Sequence, residues 1–184
     1  MFVHKIDEEL SIKLIGLEDA EELFALADES REHLATWLPW INFTKSPEDT
    51  KQFIQSAMKR YGEADGLTVC ILYKGAIAGT IDLHAIDWKN RKTSIGYWMG
   101  AKYKGKGLLT RSCQALFTYA FRDLGLNRIE IRADVRNTKS WAVPERLGFE
   151  KEGVIREAAM LYDEPSDHVV YGMLEKDWQD HKEN

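Results

Sequence analysis

Lys104-Gly105-Lys106-Gly107 stands directly before an apolar-striped segment that begins near Leu108. Glycines let a backbone approach a ligand closely, because no Cβ intervenes. The first turn of a helix offers unpaired N–H groups and a partial positive charge. Two lysines in the loop and Arg111 just beyond it add full charges, so this segment has the chemistry of a phosphate or pyrophosphate site. It lacks G-x-x-x-x-G-K-[ST] and the third glycine of G-x-G-x-x-G, so neither a nucleotide-hydrolase loop nor a dinucleotide fingerprint is present. A glycine pair before a helix also serves as a plain turn, and its surroundings decide between the two uses.

Those surroundings are unusual in charge. The chain has 25 basic and 30 acidic residues, a net −5. Yet Lys89, Arg91, Lys92, Lys102, Lys104, Lys106, Arg111 and Arg122 fall in a stretch, Trp88 to Arg122, without a single Asp or Glu. A solvated face would account for such a run. An anionic ligand would account for it together with the glycines, and the acidic remainder would suit a cationic partner.

Other chemistries find little support. Cys70 and Cys113 are far apart, and His4, His33, His84, His168 and His181 form no H-x-x-x-H pair, so no disulfide framework or metal site is expected. Two lone cysteines fit a reducing cytoplasm. The acidic balance argues against a general nucleic-acid binder. No apolar run approaches the ~18 residues of a membrane span, and the N-terminal residues show no signal-peptide pattern.

The elements that must position this loop can be read from periodicity. Leu10–Leu14 alternates as a strand, and Glu18–Asp28 has helical spacing. Arg31–Trp40 is short and stops at Trp37-Leu38-Pro39-Trp40. Ser46-Pro47-Glu48-Asp49 starts a helix that runs to about Tyr61. Leu67–Tyr73 and Ala76–Ile86 read as a hairpin, followed by a strand at Thr93–Met99. Leu108–Leu124 is the clearest helix, with Leu109, Cys113, Leu116, Ala120 and Leu124 on one stripe. Arg128–Val135 reads as a strand and Thr138–Leu147 as a short helix. Two strands joined by Asp163-Glu164-Pro165-Ser166 follow, and a polar tail from Glu175 should fray. One mixed α/β domain over residues 1–184 fits, its core at about 8–176 and its frayed end at 177–184.

Two ordered motifs now stand out. Ile95-Gly-Tyr-Trp-Met99 with Tyr103-Lys-Gly-Lys-Gly107 resembles the cofactor motif of the GCN5-related N-acetyltransferases. Asn137-Thr-Lys-Ser140, Glu145-Arg-Leu-Gly-Phe149 and Glu152-Gly153 resemble that family's second motif. The closest likeness is to the Rim-type branch, which acetylates N-termini of ribosomal proteins. It runs nearly end to end and includes His33-Leu-x-x-Trp37-Leu-Pro-Trp40. The resemblance implies a mostly antiparallel sheet of about seven strands, flanked by helices and splayed at the cofactor site. It implies acetyl-CoA, with pyrophosphate on the amides of Lys104, Gly105, Lys106, Gly107, Leu108, Leu109 and Thr110. Pantetheine would pair along Trp98 and Met99 and bond to Asn137. The family prefers Arg or Gln where Lys104 stands and Gly or Ala where Leu109 stands. Lys104 keeps the charge, and Leu109 still offers its amide.

Acetyl transfer to an amine needs a neutral amine, a donor to the oxyanion, and a proton for the thiolate. An α-amine, with pKa ~7.7–8.0, needs less help than a lysine near ~10.4. By resemblance, the backbone N–H at Met99 serves the oxyanion, and Ser140 is the candidate acid. Ser140 equally suits a helix cap. Pro144 removes a hydrogen bond from the same helix. No base is assigned: Ala159 stands where one Rim-type class carries a glutamate, Glu157 would share its face, and Asp82, His84 and Glu32 are further candidates. Trp37, Leu38 and Trp40 either wall an acceptor site or pack in the core or at a homodimer interface. Tyr97, Tyr103 and Tyr119 read as packing residues. The acceptor is a basic protein N-terminus or, alternatively, a polyamine or other small amine. A CoA-binding module without turnover is the third reading.

Overall fold

The computed structural model describes residues 3–179. Its centre is an eight-stranded sheet: β1 (Val3–Lys5), β2 (Leu10–Leu14), β3 (Leu67–Tyr73), β4 (Ala76–Asp87), β5 (Lys92–Met99), β6 (Arg128–Asp134), β7 (Glu150–Leu161) and β8 (Glu164–Leu174). The spatial order is β1-β2-β3-β4-β5-β6-β8-β7. The sequence pointed to about seven strands. The extra one is β1, whose three exposed residues carry no apolar alternation to read.

Every neighbouring pair is antiparallel except β5 and β6. A parallel pair needs a crossover, and helix α4 (Leu108–Arg122) supplies it. The β5–β6 ladder stops at Ile95↔Ile131, although β5 continues to Met99. On its other side β5 stays paired with β4 as far as Gly79↔Met99. Among the described residues, Gly96–Met99 therefore has no strand on its β6-facing edge, and the sheet splays there.

Helices cover both faces. Leu116, Phe117 and Ala120 of α4 join Ile71, Ile81, Ile129 and Ile131 in the larger core. On the other face, Leu23 and Leu26 of α1 (Ala20–Glu29) and Ile54 of α3 (Pro47–Gly62) pack with Cys70 and Ile77. Ser46 opens α3 as expected: Asp49 Oδ2 accepts from the Ser46 N–H at 2.9 Å, with Pro47 in the first turn. Between these helices lie α2 (Arg31–Ala35) and a 3-10 turn, Pro39–Asn42.

Two expectations change at the C-terminal side. The β7–β8 turn is tighter than Asp163–Ser166: β8 already begins at Glu164, and Tyr162 turns the chain with φ of 55°. Residues from Glu175 do not simply fray, because Glu175–Gln179 forms helix α6. Trp178 is 3% exposed and meets Phe117 and Phe121 with centroids at 5.8 and 5.9 Å. One large aromatic outweighs the polar residues around it. The rest of that segment lies outside the described residues.

Candidate active site

Gly105 and Gly107 take positive φ of 75° and 68°. Side chains rarely tolerate that conformation, so the glycines are what turn the chain from β5 into α4. The first turn of α4 then faces a cleft of about 780 Å³. Trp98 and Met99 of the open β5 edge line it, beside Lys104, Gly105, Gly107, Leu108, Leu109 and Thr110. Helix α5 (Thr138–Arg146) and the preceding residue bring Asn137, Lys139, Ser140 and Arg146. The α2 side brings His33, Trp37 and Leu38. Among the described residues, no Asp or Glu lines this cleft.

Its charge differs in origin from the sequence reading. Of the eight bases between Trp88 and Arg122, Lys104 is the one that lines the cleft. Arg111 turns away and pairs with Asp7. Lys102 pairs with Glu29 at 2.8 Å, and Lys106 lies 5.9 Å from the ring centroid of Tyr73. The missing cations come from α5, whose Lys139 and Arg146 are far along the chain from the glycine loop. Burial, then the charge of Lys139, pushes the Lys104 ammonium below its ordinary value. Burial, then Lys104 and Lys139, pushes the His33 imidazole down. Lysines and an imidazole this close together favour an anion between them.

Ser140 is not a cap. Asn137 caps α5: its side-chain oxygen accepts from the Ser140 N–H at 3.3 Å. The Ser140 carbonyl accepts from the Tyr97 hydroxyl at 2.7 Å. Ser140 is thereby held through both main-chain groups at the cleft wall. Tyr97, read from sequence as packing, is half-buried on the open end of β5 and reaches α5 across the splay.

The tryptophans separate. Trp37 lines the cleft with the Arg136 guanidinium 5.9 Å from its ring centroid. Asp134 holds that guanidinium at 2.7 Å and also accepts from Ser166 at 2.6 Å. Trp40 does not line the cleft; its ring leans on Trp98 at 5.8 Å. Leu38 and Trp98 pack on the small cluster of Ala27, Leu34 and Ile41.

None of the candidate bases lines the cleft. Glu157 takes φ of 49°, and the β7–β8 register shifts between Ile155 and Ala159. The strict alternation that would put Glu157 and Ala159 on one face is therefore broken. Asp82 is buried, bonded to the Thr68 hydroxyl, and its carboxyl is pushed up by burial. His84 stands over Gly96 on the face away from α4.

An open-edged strand, a glycine loop and a helix N-terminus meeting in one cleft find a match among known proteins. Residues 9–150 match the model of the acetyltransferase (GNAT) domain. This chain belongs to the GNAT acetyltransferase family. It is 38% identical over 183 residues to a Bacillus subtilis protein named putative ribosomal N-acetyltransferase YdaF, covering 99% of this chain and 100% of that one. It is 26% identical to the ribosomal-protein-serine acetyltransferase of Escherichia coli, over 92% and 95% of the two chains. Among solved structures, the microcin C7 self-immunity acetyltransferase MccE in complex with acetyl-CoA and AMP is 32% identical, covers 92% and 94%, and has a TM-score of 0.89. RimL, a ribosomal L7/L12 α-N-protein acetyltransferase in complex with coenzyme A, is 25% identical, covers 94% and 98%, and has a TM-score of 0.90. The GNAT enzyme described here is thus an N-acetyltransferase, and its splayed, mostly antiparallel sheet is the family's fold. No helix among its described residues is long and apolar enough to cross a membrane.

Proposed function

We propose that this GNAT enzyme moves an acetyl group from acetyl-CoA directly to the N-terminal α-amine of a protein, a ribosomal protein being the favoured class. The observation that carries the reading is the unpaired Gly96–Met99 edge facing the glycine loop within one cleft. Unpaired main-chain groups suit the amides of a pantetheine arm, as a missing strand would. The first-turn amides of α4, with Lys104, Lys139 and Arg146, suit its phosphates. Acetyl-CoA supplies an activated thioester; the remaining work falls to the protein.

In this reading the main-chain N–H at Met99 donates to the carbonyl oxygen that gains charge. Ser140 gives a proton toward the departing sulfur. Trp37 and Leu38 wall the acceptor side, and Trp40 supports Trp98 from behind. An α-amine loses its proton near neutral pH, which fits a cleft lined, among the described residues, by no carboxylate. The same lack disfavours the polyamine reading: among the described residues, no carboxylate lines the cleft to receive a polycation's ammonium groups. The ribosomal class rests on the names of the relatives.

The test is calorimetric titration with acetyl-CoA at low and raised salt, followed by acetylation of a peptide with a free N-terminus against spermidine. One-to-one binding that weakens with salt, and turnover of the peptide over spermidine, is expected. Absence of binding at either salt refutes the reading. Preference for spermidine refutes the acceptor.

A further inference from the structure

Pro144 lies inside α5, four residues after Ser140. In a regular helix the N–H of residue 144 would bond to the carbonyl of residue 140. Proline has no N–H, so the helix leaves the Ser140 carbonyl without its usual partner. That carbonyl is where the Tyr97 hydroxyl donates, at 2.7 Å. Burial pushes the Tyr97 phenol well above its ordinary value, which keeps the donor protonated. Tyr97 sits on the β5 segment that has no strand on its β6 side. The bond therefore joins the two walls of the cleft where the sheet does not.

We infer that Tyr97 is a positioning residue for Ser140, and that Pro144 is what makes it necessary. The proline vacates the carbonyl, and the tyrosine takes it across the splay. The Ser140 N–H donates to both the carbonyl and the side-chain oxygen of Asn137, at 3.0 and 3.3 Å, and its carbonyl is held by the Tyr97 side chain, so both main-chain groups of Ser140 are fixed. A register error in α5 then moves the serine hydroxyl away from β5. This inference rests on Ser140 acting at the reaction, as proposed above.

Five variants test it: Tyr97→Phe, Pro144→Ala, their double variant, Ser140→Ala, and Tyr97→Phe in the Ser140→Ala background. Tyr97→Phe keeps the ring and removes the donor. It is expected to lower kcat about 10- to 100-fold, the order seen when reacting groups are misplaced by an ångström. The dissociation constant for acetyl-CoA should stay within about threefold. Pro144→Ala restores an N–H to the helix, so Tyr97→Phe on top of it should cost less than about threefold in kcat. In the Ser140→Ala background Tyr97→Phe should cost nothing further.

A readout independent of turnover is hydrogen exchange at the main-chain amide that Pro144→Ala introduces. That amide should exchange more slowly once Tyr97→Phe leaves the Ser140 carbonyl to it alone. An equal loss of kcat from Tyr97→Phe in all three backgrounds overturns the inference, as does an introduced amide indifferent to Tyr97. If Ser140→Ala retains full turnover while the exchange result holds, the acid assignment fails and Tyr97 merely closes the cleft. If Tyr97→Phe does not fold, Pro144→Ala must rescue its folding, because the orphaned carbonyl is then the cause.

Discussion

Gly79→Ala puts the geometry of the cleft under direct strain. Gly79 pairs with Met99 at the point where β5 ends its last ladder. A Cβ at residue 79 would stand 2.2 Å from the Trp98 carbonyl oxygen, 2.8 Å from Met99 Sδ and 3.0 Å from Met99 Cα. Ordinary contact begins near 3.4 Å, so β5 must retreat by about 1 Å. The sulfur can swing aside; the main-chain atoms cannot. Overpacking of this kind costs ~1–3 kcal/mol, which for a chain of this size lowers Tm by roughly 3–10 °C. Its second effect falls on function, since the displaced atoms belong to β5, whose opposite, β6-facing edge would carry pantetheine and oxyanion. A shift of that size costs about 100-fold in turnover. The assay is a thermal melt paired with steady-state acetylation. Gly62→Ala is the control, because nothing lies within 4 Å of its added Cβ at the end of α3. A Gly79→Ala protein with wild-type Tm and turnover would refute the claim that β5 is held at this contact.

Four further outcomes are expected. Trp178→Ala should cost about 3–5 kcal/mol, read by urea denaturation, because it opens a cavity against Phe117 and Phe121. Asp19→Asn should destabilise in the same assay by less than the ~3–5 kcal/mol of a fully unpaired buried charge, since it removes the nearer acidic partner of buried Lys13 but leaves Glu18 at 3.5 Å. The Asp134 carboxyl is held well below the usual range, chiefly by Arg136 and also by Ser166. Its contribution is present above the unfolded value near ~3.9 and is lost as pH falls through its folded value. Asp134→Asn should therefore lower Tm at neutral pH and lose that deficit in acid. Finally, burial and then Lys104 and Lys139 hold His33 down, and an anion in the cleft would offset the two lysines. Binding of acetyl-CoA should then take up protons, tighten as pH falls, and lose this pH dependence in His33→Gln. Titration in buffers of different ionisation enthalpy measures it, and equal heats in all buffers would contradict it.

The long apolar stripe of α4, the glycine loop before it and the order of the other elements were legible because they depend on local periodicity and turn chemistry. The charge of the cleft was legible only in sign. A run of bases along the chain is not a patch in space: Arg111 and Lys102 are drawn off by Asp7 and Glu29, which lie far away in sequence. Lys139 was visible inside the Asn137–Ser140 motif, but only the approach of α5 to the glycine loop shows that it faces the same cleft. Tyr97 had one local signal, the proline four residues after Ser140, and that signal needs the splay to become a contact. Gly79 had none, because its reason for being glycine is a carbonyl on another strand. Glu157 and Ala159 were misread because a register shift is invisible to alternation.

The two ends of the sheet also bear on how the protein behaves at high concentration. An eight-stranded open sheet has two borders that another chain could extend. One border is β1, only three residues long. The other is β7, twelve residues with nearly every side chain exposed, which would be an inviting template were it regular. Its two register shifts, at Lys151–Gly153 and Ile155–Ala159, break the comb of evenly spaced amides that an incoming strand must match. Glu150, Lys151, Glu152, Arg156 and Glu157 add charge along the same border. Length limits propagation at one end and irregularity limits it at the other, so a sheet this wide stays finite.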